Sequence, residues 1–455
     1  MTDASERGES GSMRAVRALS VLLVAAGCAS APKPAPEASG PRFIQNDYPA
    51  ALAAAREGNK LLFIDFWAPW CHSCVSMQAY VFPDPSLTRL DGHFVWLEVD
   101  TEDPVNSAVL ERFPVDVWPT LLVVDPHSQA PVRRWLGSAT ASELSARLEA
   151  VERSWTPGGG TPVERSLSQG AALVAAGKRA EAAVAYRTAA DASAPLTAEH
   201  AQAVELLVLQ LSLTQASLEC VRTARKELPS LPPGTALATV AGTGLDCALA
   251  LPPTDADRLA ASPALEAKVA ELSRDSSVPM LADDRSGLYQ TLVEARRERG
   301  DAAGARAAAA DWAAFLEGEA ARAKSSEARA VFDSHRLSAY LALGQPERAV
   351  PMLEQSARDF PRDYNPPARL AVAYLAMHQP ARALAAAEQA ERLVYGPRTL
   401  RVLLTKAEAE AALGDRSGAQ ATLARADELV ASLPEVQRGA WMTGAIASKR
   451  KALLQ

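Results

Sequence analysis

Leu61-Leu62-Phe63-Ile64-Asp65-Phe66-Trp67-Ala68-Pro69-Trp70-Cys71-His72-Ser73-Cys74 decides how the N-terminal part of this chain is read. Apart from Asp65, its first seven residues are continuously apolar, the pattern of a strand buried on both faces of a sheet. Two cysteines follow, separated by two residues, where the strand pattern gives way to a helix. That junction places Cys71 at a helix N-terminus, where unpaired backbone N–H groups and the helix dipole stabilise a thiolate. Cys74 lies one turn later on the same face and can reach back to a mixed disulfide formed at Cys71. Cys71 is therefore read as a nucleophile and Cys74 as the thiol that resolves its product. A zinc site would need a second ligand pair at similar spacing, which none of His72, His93 and His127 has. The pair reads as a redox centre with no metal and no cofactor beyond its own disulfide; a purely structural disulfide is the plainer alternative.

Working outward, strand and helix patterns alternate. Pro49 to Glu57 reads as a helix, Lys60 to Trp67 and Phe94 to Asp100 as strands, and Val105 to Phe113 as a helix. Leu121 to Val124, Val132 to Trp135 and a helix from Ser142 to Arg153 close an α/β unit over residues 43–152, expected to be a central sheet with helices on both faces. Asp65 sits on the buried strand, where desolvation raises its pKa and equips it to take the proton of the buried thiol.

The stretch around Cys71 and Cys74, together with Phe113-Pro-Val-Asp-Val-Trp118-Pro119-Thr120-Leu-Leu and Gly137, resembles the thioredoxin family. The spacing Cys-x-x-Cys-x-x-Met77, with Val81-Phe-Pro-Asp-Pro85 and Val99-Asp100, is most similar to the C-terminal periplasmic domain of the DsbD family and its single-domain relatives. The resemblance implies a thioredoxin fold and exchange with protein thiols and disulfides. It implies a cis-proline at Pro119 beside the cysteines, and Asp65 as the buried acid. Trp70, His72, Trp118 and Thr120 would surround the substrate, and an upstream reductant of the DsbD type would restore the thiols. Reduction is the direction this resemblance favours. The second acid of DsbD-type domains falls on Gln78 here, leaving proton handling to Asp65. His72, when protonated, would favour the thiolate; a solvated loop residue is the other reading. Trp118 is bulky for a position that meets substrate, and would either narrow the partner range or cover the disulfide.

Trp155-Thr-Pro-Gly-Gly-Gly-Thr-Pro162 breaks the helix pattern and marks a linker over 153–163. Beyond it, residues 164–455 are Ala-rich and helical by pattern. Gly344, His378 and Gly414 recur at spacings of 34 and 36 residues, accompanied by Tyr340, Ala349 and Leu353, then Tyr374, Ala383 and Ala387, then Ala419, Leu423 and Ala426. This resembles the tetratricopeptide repeat. Gly177 with Tyr186, and Gly300 with Ala305, suggest further copies, while 196–290 fit the repeat poorly. Such arrays stack into a superhelix whose concave surface usually receives a peptide or protein, so a protein partner on the repeats is expected.

The chain has 455 residues, enough for two or three domains, with 48% apolar and 22% charged residues. Its formal charge of -7 argues against nucleic acid as a partner. Arg14 and Arg17 precede a short apolar run ending at Ala25-Ala26-Gly27-Cys28, a signal pattern too short to span a bilayer and similar to a bacterial lipobox. Residues 1–28 are thus read as a lipoprotein signal peptide with Cys28 lipidated, and 29–42 as a Pro/Ala-rich tether. The expected location is the cell envelope, facing the periplasm and held to a membrane by the lipid anchor only, with Ala29 favouring the outer membrane. Cys220 and Cys247 permit one structural bridge, which an oxidising compartment would form, or remain two buried thiols. The reading is an envelope thiol–disulfide oxidoreductase whose repeats recruit a partner. Its competitors are a scaffolding lipoprotein with an incidental Cys pair and a copper chaperone using both thiolates.

Overall fold

The computed structural model describes residues 40–155 and 160–454, so Cys28, the expected signal segment and part of the expected linker lie outside the described residues. The N-terminal unit opens with β1 (Phe43–Gln45), α1 (Tyr48–Gly58), β2 (Leu61–Trp67), α2 (His72–Ser76) and the short α3 (Pro85–Thr88). It continues with β3 (Phe94–Asp100), α4 (Ser107–Arg112), β4 (Thr120–Val124), β5 (Pro131–Leu136) and α5 (Ala141–Ser154). The strands form one sheet in the order β1-β3-β2-β4-β5, with β1, β3 and β2 parallel and β4 and β5 antiparallel. Alternate residues of β2 feed two cores. Leu62, Ile64 and Phe66 pack with Leu52 of α1 and Leu110 of α4, while Leu61 and Phe63 pack with Met77 and with Leu144 and Leu148 of α5. The helix expected from Val105 is a 3-10 turn (Pro104–Asn106) leading into α4, because Asp103 caps Val105 through a 2.9 Å bond and Pro104 starts the turn. After α2 the chain widens into a π-helical turn, Met77–Val81.

The remaining described residues are helical. The array runs α6 (Pro162–Ala175), α7 (Arg179–Ala192), α8 (Ala198–Leu213), α9 (Ser217–Glu227), α10 (Thr235–Leu249), α11 (Ala256–Arg274), α12 (Ala282–Glu298) and α13 (Ala302–Arg322). It continues α14 (Ser326–Ala330), α15 (Asp333–Leu343), α16 (Ala349–Asp359), α17 (Asn365–Ala376), α18 (Pro380–Glu391), α19 (Thr399–Ala412), α20 (Arg416–Ser432) and α21 (Trp441–Leu454). Successive helices pair, and the turn positions read from sequence adopt left-handed backbone: Gly344 at φ 70°, His378 at 55° and Gly414 at 83°. The same turn between α8 and α9 is made by Gln215 at φ 58°. Cys220 of α9 and Cys247 of α10 are joined in a disulfide.

The array curls round the α/β unit. Gln202 of α8 donates to the Arg134 carbonyl (3.3 Å), and Thr235 of α10 to Glu143 (3.0 Å). Asp284 of α12 accepts from Ser138 (2.5 Å). Asn365 of α17 donates to the Pro69 carbonyl (3.0 Å), and Gln437, between α20 and α21, to that of Thr101 (2.8 Å). The array therefore packs on the chain's own α/β unit.

Candidate active site

The end of β2 and the start of α2 build the site. Cys71 is the N-cap of α2, its sulfur accepting the Cys74 N–H at 3.0 Å, and the two cysteines are disulfide-bonded. Both are buried, Cys71 at 3% exposure and Cys74 at 0%. Trp67, Trp70 and Trp118 pack over them. The Trp118–Pro119 peptide is cis, and the Trp118 carbonyl accepts from Ser73 Oγ at 3.3 Å. The indoles are pinned by their N–H groups, Trp70 to Glu102 (2.6 Å) and Trp118 to Thr101 (2.8 Å). Of the two roles weighed for Trp118, covering the disulfide matches this placement. Thr120 is fully buried and its hydroxyl donates to the Val117 carbonyl at 2.7 Å.

Asp65 is fully buried, and neither carboxylate oxygen has a hydrogen-bond partner. Burial, reinforced by the neighbouring Glu98, holds its pKa well above the usual carboxylate range. Glu98 stands opposite Asp65 in the β2–β3 register and is itself raised by burial, against hydrogen bonds from Gln45 and Gln78. A second acid thus faces the site from β3 rather than from the helix where Gln78 stands. Sequence reasoning missed it because the pairing of β2 with β3 is not written in either strand.

His72 packs against the array. Its Nδ1 meets Asp283 of α12 at 2.5 Å, and its ring lies 3.8 Å from that of His335 of α15, centroid to centroid. Burial works against a charge on His72, yet the Asp283 carboxylate outweighs it and raises the pKa. Burial and the nearby His72 push His335 down to about 3. His72, Asp283 and His335 are the described residues placed to hold a metal ion, each offering an atom within 4.8 Å of the others.

A cleft of about 550 Å³ ends against Trp70 and Trp118 and is lined from the array by Arg398, Arg401 and Trp441. The Arg398 guanidinium lies over the Trp70 ring at 4.9 Å and that of Arg401 over Trp441 at 4.9 Å. Glu102 accepts the backbone N–H of Arg398 at 2.6 Å, which joins the array to the rim of the site.

Comparison with known proteins agrees with this geometry. Residues 43–126 match a family model described as thioredoxin-like. Thioredoxin H3 of Arabidopsis thaliana is 35% identical over 103 residues, which cover 80% of that protein. The chain belongs to the thioredoxin-like family. The thiol:disulfide interchange protein DsbD of Pseudoalteromonas atlantica is 35% identical over 95 residues, 20% of this chain and 16% of that protein. The chain spans a fifth or less of the length of the DsbD proteins with which it aligns. A tetratricopeptide repeat protein from Parabacteroides merdae overlies 65% of the chain and 100% of its own, at 14% identity and a TM-score of 0.36. The thioredoxin-like domain with its Cys71–Cys74 pair, and the DsbD homology, point to thiol–disulfide oxidoreductase chemistry.

Proposed function

We propose that the protein is a thiol–disulfide oxidoreductase of the bacterial envelope that works as a reductase. The observation that carries the reading is the Cys71–Cys74 pair at the β2–α2 junction with the buried acid Asp65 on the same strand. In the reduced protein the Cys71 thiolate attacks one sulfur of a partner disulfide. The partner's other sulfur leaves as a thiolate and takes a proton from solvent. Asp65, as carboxylate, accepts the Cys74 proton; Cys74 then attacks Cys71 and displaces the second partner thiol. Two electrons pass to the partner, and a dithiol donor, of the DsbD type by homology, must restore the pair. Because the array covers the site and supplies Arg398 and Arg401 to the adjoining cleft, a partner engages array and thioredoxin-like domain together. Lipidation at Cys28 would tether the protein to a membrane facing the periplasm, and the Cys220–Cys247 bridge suits that oxidising compartment.

The reduction potential of the Cys71–Cys74 pair, measured in the full chain against glutathione, tests the direction. A value near about -270 mV supports reduction, and one near about -120 mV would assign oxidation instead. Replacing Cys74 by Ser should leave partners covalently bound to Cys71. Failure to trap any disulfide-linked species, in cells or with a small disulfide in vitro, would remove the redox reading and leave a scaffold or a copper carrier.

A further inference from the structure

Three side chains converge where the Cys71–Cys74 loop meets the array. His72 starts α2, Asp283 stands in the first turn of α12 and His335 in the first turn of α15. Each offers a potential ligand atom within 4.8 Å of the others. Asp283 is 1% exposed; its Oδ2 engages His72 Nδ1 at 2.5 Å, but its Oδ1 has no hydrogen-bond partner and lies 3.7 Å from His335 Nδ1. A buried carboxylate oxygen without a donor is costly in the absence of a compensating charge. His335 is held in orientation through Nδ1 by Ser286 Oγ at 2.7 Å, which in turn accepts the Trp312 indole N–H at 2.6 Å, so Nε2 is the nitrogen left to bind a metal. Outer hydrogen bonds of this kind aim imidazoles at metals.

We propose that His72, Asp283 and His335 form a site for a divalent transition-metal cation of the zinc class, which ties the redox loop to the helical array. Two imidazoles and one carboxylate are the donor set that borderline cations prefer over magnesium or calcium. At metal–ligand distances of about 2.0–2.1 Å, tetrahedral ligand atoms lie roughly 3.3 Å apart, so small side-chain movements close the site. The His72 side chain is 35% exposed, which gives it room to swing and leaves a fourth position open toward solvent. The site is independent of the redox reading, since its atoms are neither Cys71 nor Cys74. Its consequence is mechanical: a bound cation fixes α12 and α15 to the residue that follows Cys71.

The test uses the full chain with Cys71 and Cys74 both replaced by Ser, which excludes the thiolates as ligands, after chelator treatment. Zinc ion is titrated by calorimetry and cobalt(II) by visible absorption, with melting followed in parallel. One equivalent should bind with a micromolar or tighter Kd and raise the melting temperature. In the same background His335→Asn and His72→Asn, which lie in different segments, should each weaken binding at least tenfold and abolish the thermal shift. Circular dichroism shows that each variant is folded before titration. Absence of stoichiometric binding, or binding that is indifferent to both substitutions, overturns the site.

Discussion

Replacing Asp65 by Asn tests the buried acid through stability and rate together. In the native fold burial and Glu98 raise the Asp65 pKa well above the value of about 3.9 that it has in an unfolded chain. Between those two values the native state keeps a proton that the unfolded state has lost, so stability falls as pH rises, by about 1.4 kcal/mol per pH unit from this group alone. Asparagine has the same shape and no proton to lose, so the variant escapes that loss. Its stability relative to the parent should therefore improve by about 1.4 kcal/mol for each pH unit within the window, and be nearly level with the parent at pH 4. Other buried acids, such as Glu205, whose pKa burial pushes up to about 7, titrate in both proteins and cancel in the difference. Urea unfolding of the oxidised chains at a series of pH values from 4 upward measures the gap. The rate should move the other way. Without a proton acceptor for Cys74, reduction of a small disulfide should slow on the order of 10²-fold near pH 7, and much less at high pH where the thiol ionises unaided. A stability gap that does not change with pH would mean that Asp65 is already ionised in the native fold. Equal slowing at every pH would assign it a structural role.

Other substitutions probe the cover and the array. Gly396 has φ 62°, and a Cβ there would lie 2.2 Å from the Glu102 carbonyl oxygen, so Gly396→Ala should lift the segment before α19 from the site rim. It should cost about 1–3 kcal/mol and speed alkylation of reduced Cys71 by a bulky reagent; an unchanged alkylation rate would show that this contact does not restrict access. Arg398→Ala with Arg401→Ala should raise the KM for an anionic disulfide such as oxidised glutathione several-fold while leaving hydroxyethyl disulfide unaffected. Equal effects on both would separate the cleft from substrate charge. Replacing Cys220 and Cys247 by Ser opens a bridge of sequence separation 27, which should lower array stability by about 3.5 kcal/mol in thermal or urea unfolding; no change would mean that the thiols are unlinked in solution.

What the sequence discloses depends on how far apart the interacting residues lie. The strand from Phe94 to Asp100 and the helix that begins after Cys71 are legible because each carries its own periodicity or capping chemistry. β1, with three residues, is too short to show a period, and its place is set by pairing with β3. In the array, Gly344 and Gly414 betray their turns by residue type, and His378 by spacing. Gln215 makes the same left-handed turn with a residue that has no such bias, so the pair α8–α9 is hidden from repeat counting. Asp283 is harder still. In sequence it is one of two acids in the first turn of a helix, a commonplace stabilising position, and only the tertiary fold brings it to His72, 211 residues away.

The position of the array changes what recruitment can mean. A repeat surface that captured a folded partner at a distance would act by raising local concentration and would leave the thiol open. Here Cys71 is 3% exposed and roofed by Trp70 and Trp118; Thr101 braces the Trp118 ring and Glu102 the Trp70 ring, and Glu102 also accepts the Arg398 N–H from the array. The cleft ends on the tryptophans that pack on Cys71, so under the proposed function a disulfide fixed in the flat surface of a folded protein would have to displace α/β rim or array to reach the sulfur. On the same reading a disulfide in an extended segment, or in a small molecule, would enter between Arg398, Arg401 and Trp441, which line the cleft. Under the proposed function the array would select substrates chiefly by excluding the wrong shapes. On this view the Gly396 variant, with its loosened rim, gains rate on folded disulfide proteins and gains little on hydroxyethyl disulfide, whereas a recruiting surface would lose rate on the former. Equal gains on the two would return the array to the role of a passive support.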